Sequence, residues 1–343
     1  MPHLLLPRRL ATLGLALAAT TLLATSCASP TAGSPAPGSG SDPAAAPSAG
    51  GFPVTVTSCG TELTLDAAPQ RIFLIGADTI PLLDAVGAVD RVVSRTGTLP
   101  TDVYDPDLQA AAEAIPVVES GVGETGGSVI SSEVVLAADP DLVIGPTNGV
   151  DSGALTAAGI PVYTPPAYCP DGTSPQTGTA SFQWVQDQVT EYGRMLGATD
   201  QAQATNDRLT QQLTQLEPAG ERLTAAALYI PQGGGTFYPY GAPSMVTPLF
   251  EAAGLDNVYA DDQQRVFEGS AEDLLDRDPD VVVLLYSDED DSAVRDAFAD
   301  LPAAQQLTAV QQDRVLTLRF PYTDPPTPLS VDGVGQLTEQ LAR

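Results

Sequence analysis

The chain has 343 residues, with 43 acidic side chains against 14 basic ones and a formal net charge of −29. All the cations are arginine and none is lysine, so nucleic acid and anionic membrane surfaces are poor partners and the charge excess reads as a solubility feature. The one histidine is His3, inside what reads as a removed leader. That excludes Ser-His-Asp triads, Cys-His pairs and His-ligated zinc from the mature protein. No paired-carboxylate motif stands out. Neither an enzyme nor a resident cofactor or metal is expected, and the length suffices for two domains with cores of their own.

Residues 1–26 carry Arg8-Arg9, an apolar run from Leu10 to Leu23 and then Ala24-Thr25-Ser26. This is the pattern of a secretory signal, not of a spanning helix. Small residues followed directly by Cys27 resemble the lipobox of bacterial lipoproteins, which implies cleavage before Cys27 and lipidation of its thiol. Ala24 stands where that motif prefers leucine, and ordinary secretion with cleavage nearby is the alternative. Residues 27–51 are mostly Ser, Pro, Gly and Ala; they cannot bury a core and should form a flexible tether.

Folded sequence starts near Phe52. The alternation in FPVTVTSCGTELTL predicts a hairpin with Cys59-Gly60 at its turn. Arg71–Ile75 and Arg91–Arg95 read as strands, Pro100–Ala114 as loop with a short helix, and Pro116–Val118 as a third strand. The glycine-rich stretch from Gly121 to Gly127 meets neither phosphate-loop nor dinucleotide spacing and reads as a loop at a strand's end. Gly159–Tyr163 adds another strand. Cys59 and Cys169 are the cysteines left after Cys27; in an oxidising exterior one disulfide is the simplest outcome, two free thiols the alternative. Ser181–Leu196 and Thr199–Leu216 carry apolar residues at helical spacing, and one of them, the second by preference, should run between two halves. Thr224–Ile230 opens another sheet, the aromatic loop PQGGGTFYPYGAPS follows, and Arg314–Leu318 and Val331–Leu341 close the chain. The acidic residues from Asp288 to Asp291 could hold a cation but read more simply as a solvated loop.

Two stretches repeat one another. Ser131–Ile144 is SSEVVLAADPDLVI and Ser270–Val283 is SAEDLLDRDPDVVV. Each reads as a short helix, an Asp-Pro stop and a buried strand, with Pro140 and Pro279 expected to push Asp139 and Asp278 into extended geometry. Upstream of each lies a second echo: PLLDAVG at 81–87 and PLFEAAG at 248–254, helices opening with proline and ending on glycine. Two echoes in one order predict two similar α/β halves, each built on continuous apolar strands of a mainly parallel sheet.

Lipobox, tether, twin halves and joining helix together resemble the bacterial ABC-transporter solute-binding proteins, and within them the group that binds ferric siderophores and corrinoids. The resemblance runs from about Phe52 to the C-terminus. It rests on Pro69-Gln70-Arg71-Ile72, the helix ending at Gly87, both Glu-x-x-Leu-x-x-Asp-Pro-Asp segments and Gly159-Ile160-Pro161-Val162. It implies two Rossmann-like lobes, 52–180 and 221–343, joined by one long rigid helix within 181–220, with ligand between the lobes and only small closure on binding. It also implies a monomer outside the cytoplasmic membrane, held there by its N-terminal lipid, that delivers a small metal chelate to an ABC permease and its ATPase subunits. Family precedent makes Glu133 and Glu272 the permease-docking residues; the plainer reading is that they sit in the first turns of helices capped by Ser131 and Ser270.

For the ligand, the loops after strands offer Asp78, Arg95, Glu124, Thr125 and Asn148 in the first lobe. The second offers Phe237, Tyr238, Tyr240, Phe267, Arg319 and Tyr322, aromatics suited to a large chelate but equally to packing. Glu124 stands where many siderophore-binding relatives carry arginine, so neutral or cationic hydroxamate complexes fit better than anionic catecholates. Cobalamin or haem capture on the same fold, a secreted carboxylate-dependent hydrolase and a lipoprotein without ligand are the rival readings.

Overall fold

The computed structural model describes residues 51–100, 102–122, 128–170, 172–216, 222–231, 235–287, 290–302 and 304–342. The leader, Cys27, the tether up to residue 50, Glu124 and Thr125 lie outside the described residues. The chain enters through an antiparallel hairpin of β1 (Val54–Ser58) and β2 (Thr61–Leu65). Its turn residues Cys59 and Gly60 have φ of 47° and 78°, the doubly left-handed backbone that matches the twist of two-residue hairpins. Cys59 is disulfide-bonded to Cys169 across 110 residues of sequence.

A first α/β layer follows: β3 (Ile72–Leu74), α1 (Ile80–Ala85), β4 (Val92–Arg95), α2 (Pro106–Glu113), the two-residue strands β5 (Gly121–Val122) and β6 (Ser128–Val129), α3 (Ser132–Ala137), β7 (Leu142–Ile144), α4 (Ser152–Ala157) and β8 (Val162–Tyr163). The sheet order is β4-β3-β7-β8 with every neighbouring pair parallel. Its central strands are apolar throughout because both faces are covered. Ile72, Leu74, Leu142 and Ile144 enter one core, while Phe73 and Val143 enter the core on the opposite face. Pro116–Val118 contributes a single parallel bridge, Val117 to Arg95, instead of a strand; proline has no N–H with which to extend the ladder.

Two helices come next, α5 (Phe182–Met195) and α6 (Thr199–Gln215). They form a tight hairpin: a Cβ on Gly193 would stand 2.4 Å from the Ala202 methyl, so only glycine admits the approach. Asn206 donates to the Gln186 carbonyl and the Thr190 hydroxyl, and Gln186 donates to the Thr210 hydroxyl, at 2.8–3.1 Å. Leu209 and Leu213 pack with the first core and Leu216 with the next, so α6 carries the chain from one half to the other.

The second half contains β9 (Leu223–Tyr229), β10 (Tyr238–Pro239), α7 (Val246–Ala253), β11 (Leu255–Asn257), α8 (Ala271–Arg277), β12 (Val281–Tyr286), α9 (Ser292–Ala299), α10 (Thr308–Gln311), β13 (Val315–Arg319) and α11 (Leu329–Leu341). Strands β11, β9, β12 and β13 run parallel; β10 alone is antiparallel, beside β9. Ala225, Ala227, Val281, Val283 and Leu285 point to one core, Ala226, Leu228, Val282 and Leu284 to the other.

The sequence repeats are structural repeats. Gly87 and Gly254 both end their helices with left-handed φ, 66° and 85°. In the Asp-Pro-Asp segments the second aspartate does one job twice. Asp141 accepts the backbone N–H groups of Gln70 and Arg71 at 2.7 and 2.8 Å, just ahead of β3. Asp280 accepts the Thr224 N–H at 2.9 Å, at the start of β9. The first aspartate departs from expectation. Asp139 and Asp278 have φ of 50° and 35°, left-handed instead of extended, because each ends a helix and must reverse the chain where the following proline excludes the right-handed form. Aspartate tolerates that conformation better than most residues.

The disulfide ties the hairpin tip to the segment that follows β8, so losing it frees two distant parts of the chain at once. Cys59→Ser with Cys169→Ser is expected to cost about 2–5 kcal/mol of stability. Denaturant melts of oxidised, reduced and variant protein check this; a midpoint unchanged by reduction would show the bond to be dispensable.

Candidate functional site

Parallel sheets bring strand carboxyl ends to one edge, and the loops leaving that edge are where α/β proteins hold ligands. In the first half this edge carries Asp78 after β3, Arg95 at the end of β4, and Tyr168 after β8. Two glycines let the chain turn there: Gly76 has φ 101°, and a Cβ on Gly97 would touch the Gly76 backbone at 3.4 Å. The Thr96 hydroxyl accepts the Gly76 N–H at 2.7 Å.

Tyr168 donates its hydroxyl to the Asp78 carboxylate at 2.9 Å. Asp78 keeps solvent-accessible surface although protein surrounds it on most sides, the situation of a group on the floor of a cleft. Burial lifts its carboxyl above the ordinary range, the Tyr168 bond pulls it down, and the charge of Asp324 pushes it up again. That last influence crosses from one half to the other. Asp324 is held by the Arg265 guanidinium, whose pKa the carboxylate raises. Tyr240, 3% exposed, feels both, its phenol pushed up by burial and Asp324 and down by Arg265. Asp78, Tyr168, Tyr240, Arg265 and Asp324 thus form one electrostatic group spanning both halves.

Beside this group opens a cavity of about 610 Å³. One wall is the 166–178 segment, including Cys169, Ser174, Gln176 and Thr177; the other is formed by Pro243, Met245, Gln263, Gln264, Arg265, Val266, Thr323 and Asp324. Trp184, the only tryptophan of the chain, lines it as well. Beside Asp78 the halves also meet: Val103 belongs to the second half's core, and Tyr104, which donates to the Ala77 carbonyl at 3.4 Å, packs against both cores.

The second sheet's carboxyl edge ends in Tyr229, Tyr286 and Arg319; the parallel register pairs Tyr286 with Arg319 and sets Tyr229 beside Leu285, one residue earlier. The Arg319 guanidinium lies 5.0 Å from the centre of the Tyr286 ring, and Tyr229 meets Phe320 at 6.2 Å.

The expected residues distribute unevenly over this arrangement. Asp78 and Tyr240 join the central group, and Arg319 lies on the second sheet's edge. Arg95 is 5% exposed; it donates to the Gly97 carbonyl at 2.7 Å, leaves its Nε unpartnered, and burial lowers its pKa. Asn148 stands exposed on the turn after β7 and Tyr238 is half-buried on β10. Phe237 is 3% exposed and lies in the core under Gly269. Tyr322 packs against Gly333 of α11, and half-buried Phe267 meets the edge of Tyr259 at 5.6 Å. Aromatic loops beside glycines draw rings inward, since buried area outweighs exposure. Glu133 and Glu272 are exposed on α3 and α8. Ser270 caps its helix by accepting the Asp273 N–H at 3.4 Å, whereas the Ser131 side chain makes no such cap bond.

Tyr168, Arg265, Asp324 and Trp184 escaped the sequence reading, as did Tyr229 and Tyr286. For the last two a signal existed, because the runs 223–229 and 281–286 each end Leu-Tyr. Among the described residues no group of carboxylates, cysteines or histidines is arranged to hold a metal. Asp291 instead pairs with Arg295 and accepts the Thr317 hydroxyl. No helix among them is long and apolar enough to cross a membrane.

Two α/β halves face each other across a cleft and are joined through a helical hairpin, an architecture that offers a site for a ligand between them. Residues 74–322 match the family model described as periplasmic binding protein, and the chain belongs to that family, whose members work outside the cytoplasmic membrane. It is 42% identical to a crystal structure described as an ABC-type Fe3+-hydroxamate transport system from Saccharomonospora viridis DSM 43017, covering 85% of this chain and 100% of that one with a TM-score of 0.77. The fold is also that of the periplasmic haem-binding protein RhuT from Roseiflexus sp. RS-1 (20% identity, 80% and 98% coverage, TM-score 0.60). The periplasmic vitamin B12 binding protein BtuF of Vibrio cholerae shares it too (19%, 80% and 96%, TM-score 0.53). No curated protein sequence matches the chain.

The Asp78 environment makes a signed expectation. With its folded-state pKa raised, Asp78 adds stability below the unfolded carboxylate value of about 3.9, and that contribution is lost as pH rises through the raised value. Asp78→Asn should therefore melt at the same temperature as wild type or higher near neutral pH, with the difference shrinking toward pH 4. A difference in Tm that does not vary with pH would contradict this.

Proposed function

We propose that this protein captures a ferric hydroxamate chelate between its lobes and delivers it to an ABC permease with its ATPase subunits. The observation that carries the reading is the 42% identity, over the whole of the other chain, to an Fe3+-hydroxamate transport protein. The charge of the cleft supports it. Arg95 and Arg319 sit on the strand edges outside the cavity lining. Arg265, the one arginine among the described residues that line the cavity, is already paired with Asp324, while Asp78 lies close by. A polyanionic catecholate complex would meet net repulsion there, whereas a neutral or cationic hydroxamate would not. Of the expected ligand contacts, Asp78, Arg95, Asn148, Tyr238, Tyr240 and Arg319 stay in the reading, with Tyr168 added; Glu124 and Thr125 remain candidates from sequence.

The lobes are taken as 52–180 and 221–343, with 181–220 as the connection. Residues 1–26 are the signal, Cys27 the lipidated anchor and 27–51 the tether, holding a monomer outside the cytoplasmic membrane. Glu133 and Glu272 are the docking residues, and closure on binding is small.

Titration with ferrioxamine B, ferrichrome, ferric enterobactin, haemin and cyanocobalamin tests the ligand class, read by Trp184 fluorescence and by calorimetry. Saturable binding of the two hydroxamates and none of the enterobactin complex is expected, with Asp78→Asn weakening the cationic ferrioxamine more than neutral ferrichrome. Haemin or cyanocobalamin as the sole binder would replace the reading with haem or corrinoid capture. For docking, Glu133→Ala with Glu272→Ala should abolish uptake while leaving chelate binding intact; lost binding would move those residues into the cleft.

A further inference from the structure

The large hydrophobic side chains that remain exposed among the described residues are Val117 at 59%, Val129 and Val134 at 40%, and Leu136 at 38%. All four belong to the first lobe, and three fall within the eight residues of β6 and α3 that surround Glu133. Val135 turns into the core, so at about 100° per residue Val134 and Leu136 lie on the two flanks of α3 with exposed Glu133 between them. Single exposed apolar residues need no explanation, but apolar flanks around an exposed charge mark an interaction site.

The internal repeat supplies the control. Aligned on the shared Ser-x-Glu, Val129 corresponds to Glu268 and Val134 to Asp273. Leu136 corresponds to Leu275, which packs against its lobe's core instead of standing out. Where α3 offers an apolar surface, α8 offers a charged network. There Arg277 donates to Asp273 and to Asp261 and lies 4.6 Å from the centre of the Tyr259 ring. The same fold position is therefore apolar in one lobe and ionic in the other, so the architecture does not demand the valines.

Resting on the docking role given above to Glu133 and Glu272, we propose that the two lobes meet the permease through unlike chemistry. Val134 and Leu136 seat, on either side of Glu133, against an apolar outward segment of the permease that carries a cation for Glu133, while α8 makes a polar contact. Charge selects this occupant. A second copy would set Glu133 against its own equivalent and join two chains of −29 each, and anionic lipid would meet the same repulsion. A transport partner with an apolar patch flanked by arginine or lysine is complementary to both features.

The test uses cells in which the chromosomal copy is replaced by the full-length chain or its variants, with uptake of radioactive iron as ferrioxamine B. Val134→Ser with Leu136→Ser should lower uptake about tenfold or more, the loss expected when a buried apolar anchor is removed. Melting temperature and ferrioxamine B affinity should stay unchanged, because neither side chain belongs to the core or the cleft. Uptake within twofold of wild type overturns the proposal. So does a wild-type dimer that the variant dissolves in sedimentation velocity, or wild-type binding to phosphatidylglycerol vesicles that the variant loses. If Glu133→Ala with Glu272→Ala abolishes uptake while the apolar variant does not, the docking role stands and only this inference falls. If wild-type cells take up no ferric hydroxamate, the underlying reading fails with it.

Discussion

Two carboxylates hold the architecture in register. Asp141 and Asp280 each reach across from the start of one strand to the backbone N–H groups at the start of its parallel neighbour. Charge-assisted bonds of this kind are stronger than neutral ones, and parallel strands lack the short turn that sets register in a hairpin. With starts aligned, the carboxyl ends of β3 and β7, and of β9 and β12, are also level. Asp78 hangs directly from the end of β3, and Tyr168 and Asp324 from β8 and β13, the strands that pair with β7 and β12, so the site's geometry is inherited in part from a bond at the opposite edge of each sheet.

Between the lobes the chemistry is divided. The first contributes a carboxylate and a phenol, Asp78 and Tyr168, and the second an ion pair and a buried phenol, Arg265–Asp324 and Tyr240. Each lobe is satisfied separately: Asp324 has its arginine and Asp78 its tyrosine. What couples them is the field between the two carboxylates, which neither lobe would feel alone. The gap is lined by amide and hydroxyl groups, from Gln176, Gln263, Gln264 and Thr177, around that field.

Local patterns in the amino-acid sequence foretold the scaffold well. Continuous apolar runs, proline-opened helices ending on glycine, and the Asp-Pro-Asp echo all report local physics, and α5, α6, β4, β9 and β13 fall within a few residues of where periodicity puts them. The hairpin turn at Cys59-Gly60 and its disulfide were accessible for the same reason. The cleft was less accessible, because membership depends on which loops meet across long stretches of chain, such as the 90 residues between Asp78 and Tyr168. Tyr168 sits next to a cysteine in an irregular segment, and Arg265 and Asp324 belong to loops that no periodicity governs. Phe237 and Tyr322 show the converse: an aromatic loop residue can pack inward as readily as it can face a cleft, and composition does not tell which.

The close contact of Gly193 with Ala202 has a mechanical corollary. With no side chain at 193 and a methyl filling the space a Cβ would take, the two helices interlock like a tooth in a notch. Slippage along their common axis would also break the hydrogen bonds of Gln186 and Asn206 at the far end. The hairpin therefore works as a keyed spar. A spar keyed in this way resists sliding of one helix past the other, so the spacing between its two ends is set by packing as well as by hydrogen bonds.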